Sequence, residues 1–197
     1  MLRKIIFIFL FLIAALVAIG LVKGGRHDGV PGPIDREFVS GGSVAMDLSA
    51  GEYRISPTNN DHLTVTFRGD SSRTHVFFDP SKTPAVLEVD GPSNNFRADI
   101  GVPAKTNLEV NLTAGVVRLN GVEGSKNVMC NACEMTLDVG AKEQYGPVYA
   151  SVASGNLEAR PWFVHKGGLM RSFSTQGPGK YALRAHADAG NVVITSK

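Results

Sequence analysis

The chain has 197 residues, with 20 Lys and Arg against 18 Asp and Glu, and 22 Gly. Four of those bases (Arg3, Lys4, Lys23 and Arg26) fall in the first 26 residues, where no acid occurs, so the remainder carries 16 bases against 18 acids. A nearly neutral body lacks the basic footprint of a nucleic-acid binder, and the high glycine content with many β-branched residues points to an all-β fold rich in turns.

Arg3 and Lys4 precede Ile5 to Val22, an uncharged run of 18 residues that just reaches the length of a membrane-spanning helix. Ala18-Ile19-Gly20 also offers a small-x-small cleavage site, so residues 1–23 are expected to be either a signal peptide or a retained transmembrane anchor, with length favouring the anchor. No Cys follows the run, which speaks against a lipid-modified terminus. Residues 24–42 are rich in Gly and Pro and read as a linker, and residues 43–197 as one exported domain.

Ser43 to Ser56 begins the domain with two alternating stretches around Ala50-Gly51. His62 to Phe67 alternates cleanly as a strand, and His75 to Phe78, Ala85 to Asp90 and Phe96 to Val102 read as further strands separated by polar turns. From Leu108 on, the pattern of the first unit returns: AGVVRL at Ala114, ACEMTL at Ala132, SGNLEA at Ser154 and AGNVVI at Ala189. Aligned on Gly51, Gly115, Cys133, Gly155 and Gly190, the five units share one apolar register. Two and four residues after the reference lie pairs such as Val117 and Leu119; three and five before it lie pairs such as Leu112 and Val110. Asp47, Glu109, Arg118, Thr136, Glu158 and Arg184 fall on the other face.

Units of about 20 residues that each fold as strand, corner and strand suit a β-solenoid, because a coil buries its apolar row only by stacking on its neighbours. The repeat-corner glycines Gly51, Gly115, Gly155 and Gly190 fit a crowded corner where positive φ is useful. A hairpin would tolerate the same Ala-Gly, which leaves an antiparallel β-sandwich as the alternative fold. Arg160 to Lys180 is the least regular stretch. It reads either as a cap whose aromatics cover the solenoid or as a partner patch formed by Trp162, Phe163, Lys166, Arg171 and Phe173.

The run VPAKTNLEVNLTAGVVRLNGVEG, with LDVG at Leu137, SVASGNLEARP, KGGLMRSF and GPGKYALRAHADAGNVVI, resembles the bacterial DUF4097 family of adhesin-like proteins. The resemblance covers Ile100 to Ile194 and weakens over Ser43 to Asp99. It implies an exported β-strand-repeat protein with a right-handed single-stranded β-helix-like fold, and it implies no catalytic residues. Cys133 and Glu134 depart from the family pattern, which has Gly followed by Asp or Asn.

Cys130-Asn131-Ala132-Cys133 is the one motif with the spacing of a thiol-redox pair. No helix is expected beside it to activate a thiolate. The reading is a pair of buried cysteines, with a disulfide available in an oxidising compartment. His27, His62, His75, His165 and His186 show no metal-ligand spacing, so no metal and no cofactor is expected. His186 should point to solvent, since Ala185 faces inward. No G-x-S-x-G elbow is present, and the outward acids alternate with Arg118 and Arg184 as on an ordinary solvated face.

These readings lead to an expected non-enzymatic cell-envelope protein. It would be held to the membrane by its N-terminal helix, or secreted once cleaved, and would present a surface to a glycan or an envelope protein. The alternatives are a regulatory envelope module coupled to a membrane partner, and an enzyme acting on surface polysaccharide.

Overall fold

The structure, a computed structural model, describes residues 33–39, 42–68, 73–91 and 95–196. The apolar run of residues 1–23 and residues 24–32, 40 and 41 of the expected linker lie outside them. The rest of that stretch is not free chain, since Ile34–Glu37 pairs as a strand with His62–Val65 and Phe38 is buried in the core. Among the described residues no helix is long and apolar enough to cross a membrane.

The fold is almost entirely β. The first half carries β1 (Ile34–Glu37), β2 (Ser43–Leu48), β3 (Gly51–Thr58), β4 (His62–Arg68), β5 (His75–Asp79), β6 (Ala85–Asp90) and β7 (Arg97–Pro103). The second half carries five long strands: β8 (Asn107–Asn120), β9 (Lys126–Asp138), β10 (Tyr145–Ala159), β11 (Val164–Gln176) and β12 (Tyr181–Thr195). In four of them, β8, β9, β10 and β12, the strand runs on through the corner read from the sequence, so each is one bent unit with a first and a second arm.

The units pair in parallel with neighbouring units and not as hairpins. Gly51 pairs with Gly115, Gly115 with Cys133, Cys133 with Gly190, and Gly190 with Gly155. The alignment read from the sequence is therefore the physical register of the stack. All twenty inward positions of the five units are at most 2 % exposed and belong to one continuous core. That core drives assembly, since no single unit could bury both of its apolar rows alone.

Three features depart from a solenoid wound in chain order. The fifth unit, β12, lies between β9 and β10, so the stacking order is not the sequence order. A further unit, β6 with β7, stacks in parallel on β2 and β3, pairing Val44 with Ala85 and Tyr53 with Ala98. Both ends are closed by reversed segments. β4 and β5 run antiparallel to β7 and β6, and β11 runs antiparallel to β10. The expected corner chemistry is also only partly general. Gly115, Gly155 and Gly190 have φ of +118°, +139° and +123°, while Gly51 and Cys133 are not among the positive-φ residues.

Candidate functional site

The expected cap or patch is the β11 edge. After β10 the chain makes a 3-10 turn over Arg160–Trp162, and Phe163 adopts the left-handed conformation that starts the return. Trp162 and Phe173 lie half-buried against the core with their rings 5.8 Å apart, and they anchor this segment. Phe163, by contrast, is 96 % exposed. Leu169 and Met170, which lie in the same stretch but outside the five expected patch residues, are 70 % and 86 % exposed at a kink where Gly168 and Met170 both have positive φ. The pairing of Gly167-Gly168 with two apolar residues was the available signal. Lys166 Nζ donates to the Ser172 carbonyl at 2.7 Å, and Arg171 Nε to the Gly167 carbonyl at 2.8 Å, so the two cations clasp the kink. The five residues of the expected patch thus divide: Trp162 and Phe173 hold the strand down, Phe163 projects, and Lys166 and Arg171 flank the bulge.

A second surface is the outer face of the first arms. Because the units are in register, side chains of equal position form rows across the strands. Most rows are paired within themselves. Asn107 Nδ2 donates to Ser43 Oγ at 3.3 Å, and Asn107 Oδ1 accepts from the Ser125 amide at 2.8 Å. Asn111 Nδ2 donates to Asp47 Oδ1 at 3.2 Å. One row differs: Glu109, Asn127, Arg184 and Tyr149 stand side by side on β8, β9, β12 and β10. Among the described residues none of these four side chains has a hydrogen bond or ion pair, and the Asn127 carbonyl oxygen is buried without a partner. They line a groove of about 950 Å³.

Next to that row, Ser151 Oγ lies 2.7 Å from His186 Nδ1, and His186 Nε2 lies 3.0 Å from Asp188 Oδ1. His186 does sit on the outer face, as expected, but it is engaged on both ring nitrogens. Ser151 is paired to β12 on one side and β11 on the other, so the amides around it are used in the two ladders. The trio serves as a hydrogen-bonded link across the face.

Lys126 is the anomaly of the interior. It occupies an inward position between Leu108 and Leu183 and is 2 % exposed. Its ammonium donates to the Gly124 carbonyl at 3.0 Å and to the Tyr145 hydroxyl, and it lies 4.9 Å from the Tyr145 ring. Burial lowers its pKa to about 8, partly opposed by Asp138 and Glu123. The same burial raises the Tyr145 hydroxyl above its usual range.

Cys130 occupies an inward strand position and Cys133 the corner; both are buried, and they are joined as a disulfide within β9. Among the described residues no three His, Cys, Asp or Glu side chains cluster as metal ligands would.

No protein-family model matches the chain. No curated protein matches it either. Among solved structures, the crystal structure of a "putative cell adhesion protein" from Clostridium sporogenes is similar with a TM-score of 0.52 at 14 % sequence identity, over 85 % of this chain and 100 % of that one. Likeness at that identity shows the all-β fold, and no family model confirms the DUF4097 resemblance.

Proposed function

We propose that this protein is a non-enzymatic, exported cell-envelope scaffold that presents an adhesin-like surface to a glycan or protein partner. The observation that carries the reading is the β11 edge. A stack with one continuous core ends in β11, whose kink projects Leu169 and Met170 into solvent beside two cations, and Phe163 projects from the turn just before that strand. Large apolar side chains exposed along an edge strand mark an interaction surface, since a protein otherwise covers or charges its edges. The structural likeness to a protein named for cell adhesion is consistent with this role, as is the apolar N-terminal run, which would anchor the domain or direct its export.

Binding of the full-length protein to whole cells and to isolated envelopes tests the reading. Phe163→Ser combined with Met170→Ser should abolish the binding and leave the thermal midpoint unchanged. Undiminished binding by a folded double variant would remove the edge from the function. The intact mass of the native protein in membrane and soluble fractions reads the localisation: a full-length mass in membranes means a retained anchor, and a mass lacking the apolar run means a cleaved signal.

A further inference from the structure

We infer that the groove across the outer face of the first arms binds an extended, uncharged polysaccharide through the row Glu109, Asn127, Arg184 and Tyr149. This goes beyond the β11 edge and stands on different residues.

The shape of the site sets the length of the ligand. From Ser43 on β2 to Ser174 on β11 the groove crosses six adjacent strands. At about 4.8 Å per strand that is about 24 Å, the reach of an oligomer and far more than a single sugar or nucleotide occupies.

Its direction sets the kind of ligand. The groove runs across the strands, and β8, β9, β12 and β10 each have neighbours on both sides in the stack. Their backbone amides and carbonyls are committed to the ladders, so an extended peptide lying here would find no strand edge to pair with. Recognition has to come from side chains.

The chemistry of the row then selects among polymers. Glu109 offers acceptors only and Arg184 donors only, and between them stands the half-buried amide of Asn127, whose side-chain oxygen is itself covered. Neighbouring rows bond among themselves, and this row leaves the charged ends of Glu109 and Arg184 without a protein partner among the described residues. A repeating hydroxyl, which donates and accepts at once, answers both Glu109 and Arg184 as it passes them at strand spacing. Tyr149, 44 % exposed, adds a flat ring on which the C–H face of a sugar can stack. One carboxylate and one guanidinium leave the row without net charge. The groove's other basic group, Lys126, is 2 % exposed with its ammonium held by the Gly124 carbonyl and the Tyr145 hydroxyl, so the exposed surface favours a neutral chain over an acidic or a basic one.

The test uses the full-length protein and defined oligosaccharides. Titration calorimetry would compare hexamers of β-linked glucose and of β-linked N-acetylglucosamine with their dimers and with hexagalacturonic acid. The expected result is that a neutral hexamer binds at least about tenfold more tightly than its dimer. Tyr149→Ala and Arg184→Ala should each weaken that binding by about tenfold or more with no change in thermal midpoint. The proposal is overturned if no neutral hexamer binds, if only the acidic hexamer binds, or if folded groove variants bind like the parent. Phe163→Ser keeps the two sites apart. Envelope binding lost in Phe163→Ser, together with no oligosaccharide binding by the parent, overturns the groove and leaves the edge reading intact. Oligosaccharide binding that survives Phe163→Ser and fails in Tyr149→Ala supports the groove whatever the edge does.

Discussion

A Cβ placed on Gly115 would stand 2.0 Å from the carbonyl oxygen of Gly51 in the adjoining layer. The same approach recurs at Gly190 against the Cys133 carbonyl, 1.9 Å, and at Gly155 against the Gly190 carbonyl, 1.7 Å. The corners therefore stack backbone on backbone, and glycine at these three positions answers both a steric demand and a positive φ. Gly115→Val should cost about 3 kcal/mol or more, or prevent folding outright. Gly121→Ala is the control, since Gly121 shares a positive φ of +58° but a Cβ there meets nothing within 4 Å. It should cost only about 1–2 kcal/mol, the price of the backbone conformation alone. Urea titrations of both variants check the contrast; equal losses would mean that layer contact does not matter.

Leu112 and Leu137 are 2 % and 0 % exposed on the two inward arms. Truncating either to Ala should cost about 2–5 kcal/mol, because a close-packed stack cannot collapse around the missing atoms. A loss within about 0.5 kcal/mol, the surface range, would show that the register is wrong.

Lys126 and the buried tyrosines set a pH profile of opposite slopes. Lys126 has a folded pKa of about 8 against an ordinary value of 10.5, so the unfolded chain holds more protons between those limits. Burial of the charge therefore destabilises the fold fully below about pH 8, and stability rises with pH from there towards 10.5, by on the order of 3 kcal/mol. Tyr53 is pushed up to about 12 from 10.0, chiefly by burial, and Tyr145 is raised as well. Their neutral forms stabilise the fold fully below pH 10, and that stability is lost as pH climbs through their folded values. Denaturant midpoints should thus climb from pH 8, peak near pH 10 and fall beyond it. Lys126→Met should flatten the climb and leave the fall in place.

Glu52 receives Arg118 and, at 3.0 Å, Arg97, which makes it the centre of an ion-pair row on the outer face of the second arms. The two guanidinium side chains are 39 % and 65 % exposed, so solvent screens both contacts. Glu52→Gln should cost below about 1 kcal/mol, as expected of surface pairs. A larger loss in a urea titration would mean that the outer rows, and not the core alone, hold the layers together.

The sequence was most legible where geometry is local. An alternating strand must put every second residue on one face, so the inward row could be written down before any neighbour was known, and all of it is buried. Layer order was not legible, because the inward residues are interchangeable: Ala185 and Ala187 of one unit fit against Val128 and Cys130 as well as Ala150 and Val152 would. The β6–β7 unit was not legible because the sequence between Asp90 and Arg97 lacks the Ala-Gly pair. The groove row was hidden for the same reason as the order. Glu109 and Arg184 read as scattered solvated charges, and they become neighbours of Asn127 and Tyr149 only once β12 is placed between β9 and β10. The contact of Ser151 with His186 depends on that placement too.

The position of β12 also governs when the molecule can become whole. In a solenoid wound in chain order, each new coil lays itself on a finished one, and assembly can follow synthesis or export residue by residue. Here β9 and β10 face a layer that arrives only with Tyr181–Thr195, which is made after both of them and after β11. Until then β9 presents an open parallel edge on one side and β10, backed only by β11, presents another. The second half of the stack must therefore close in a single late step, like an arch that stands only when its central stone is set, and a chain cut before β12 would lack its middle and not merely its end.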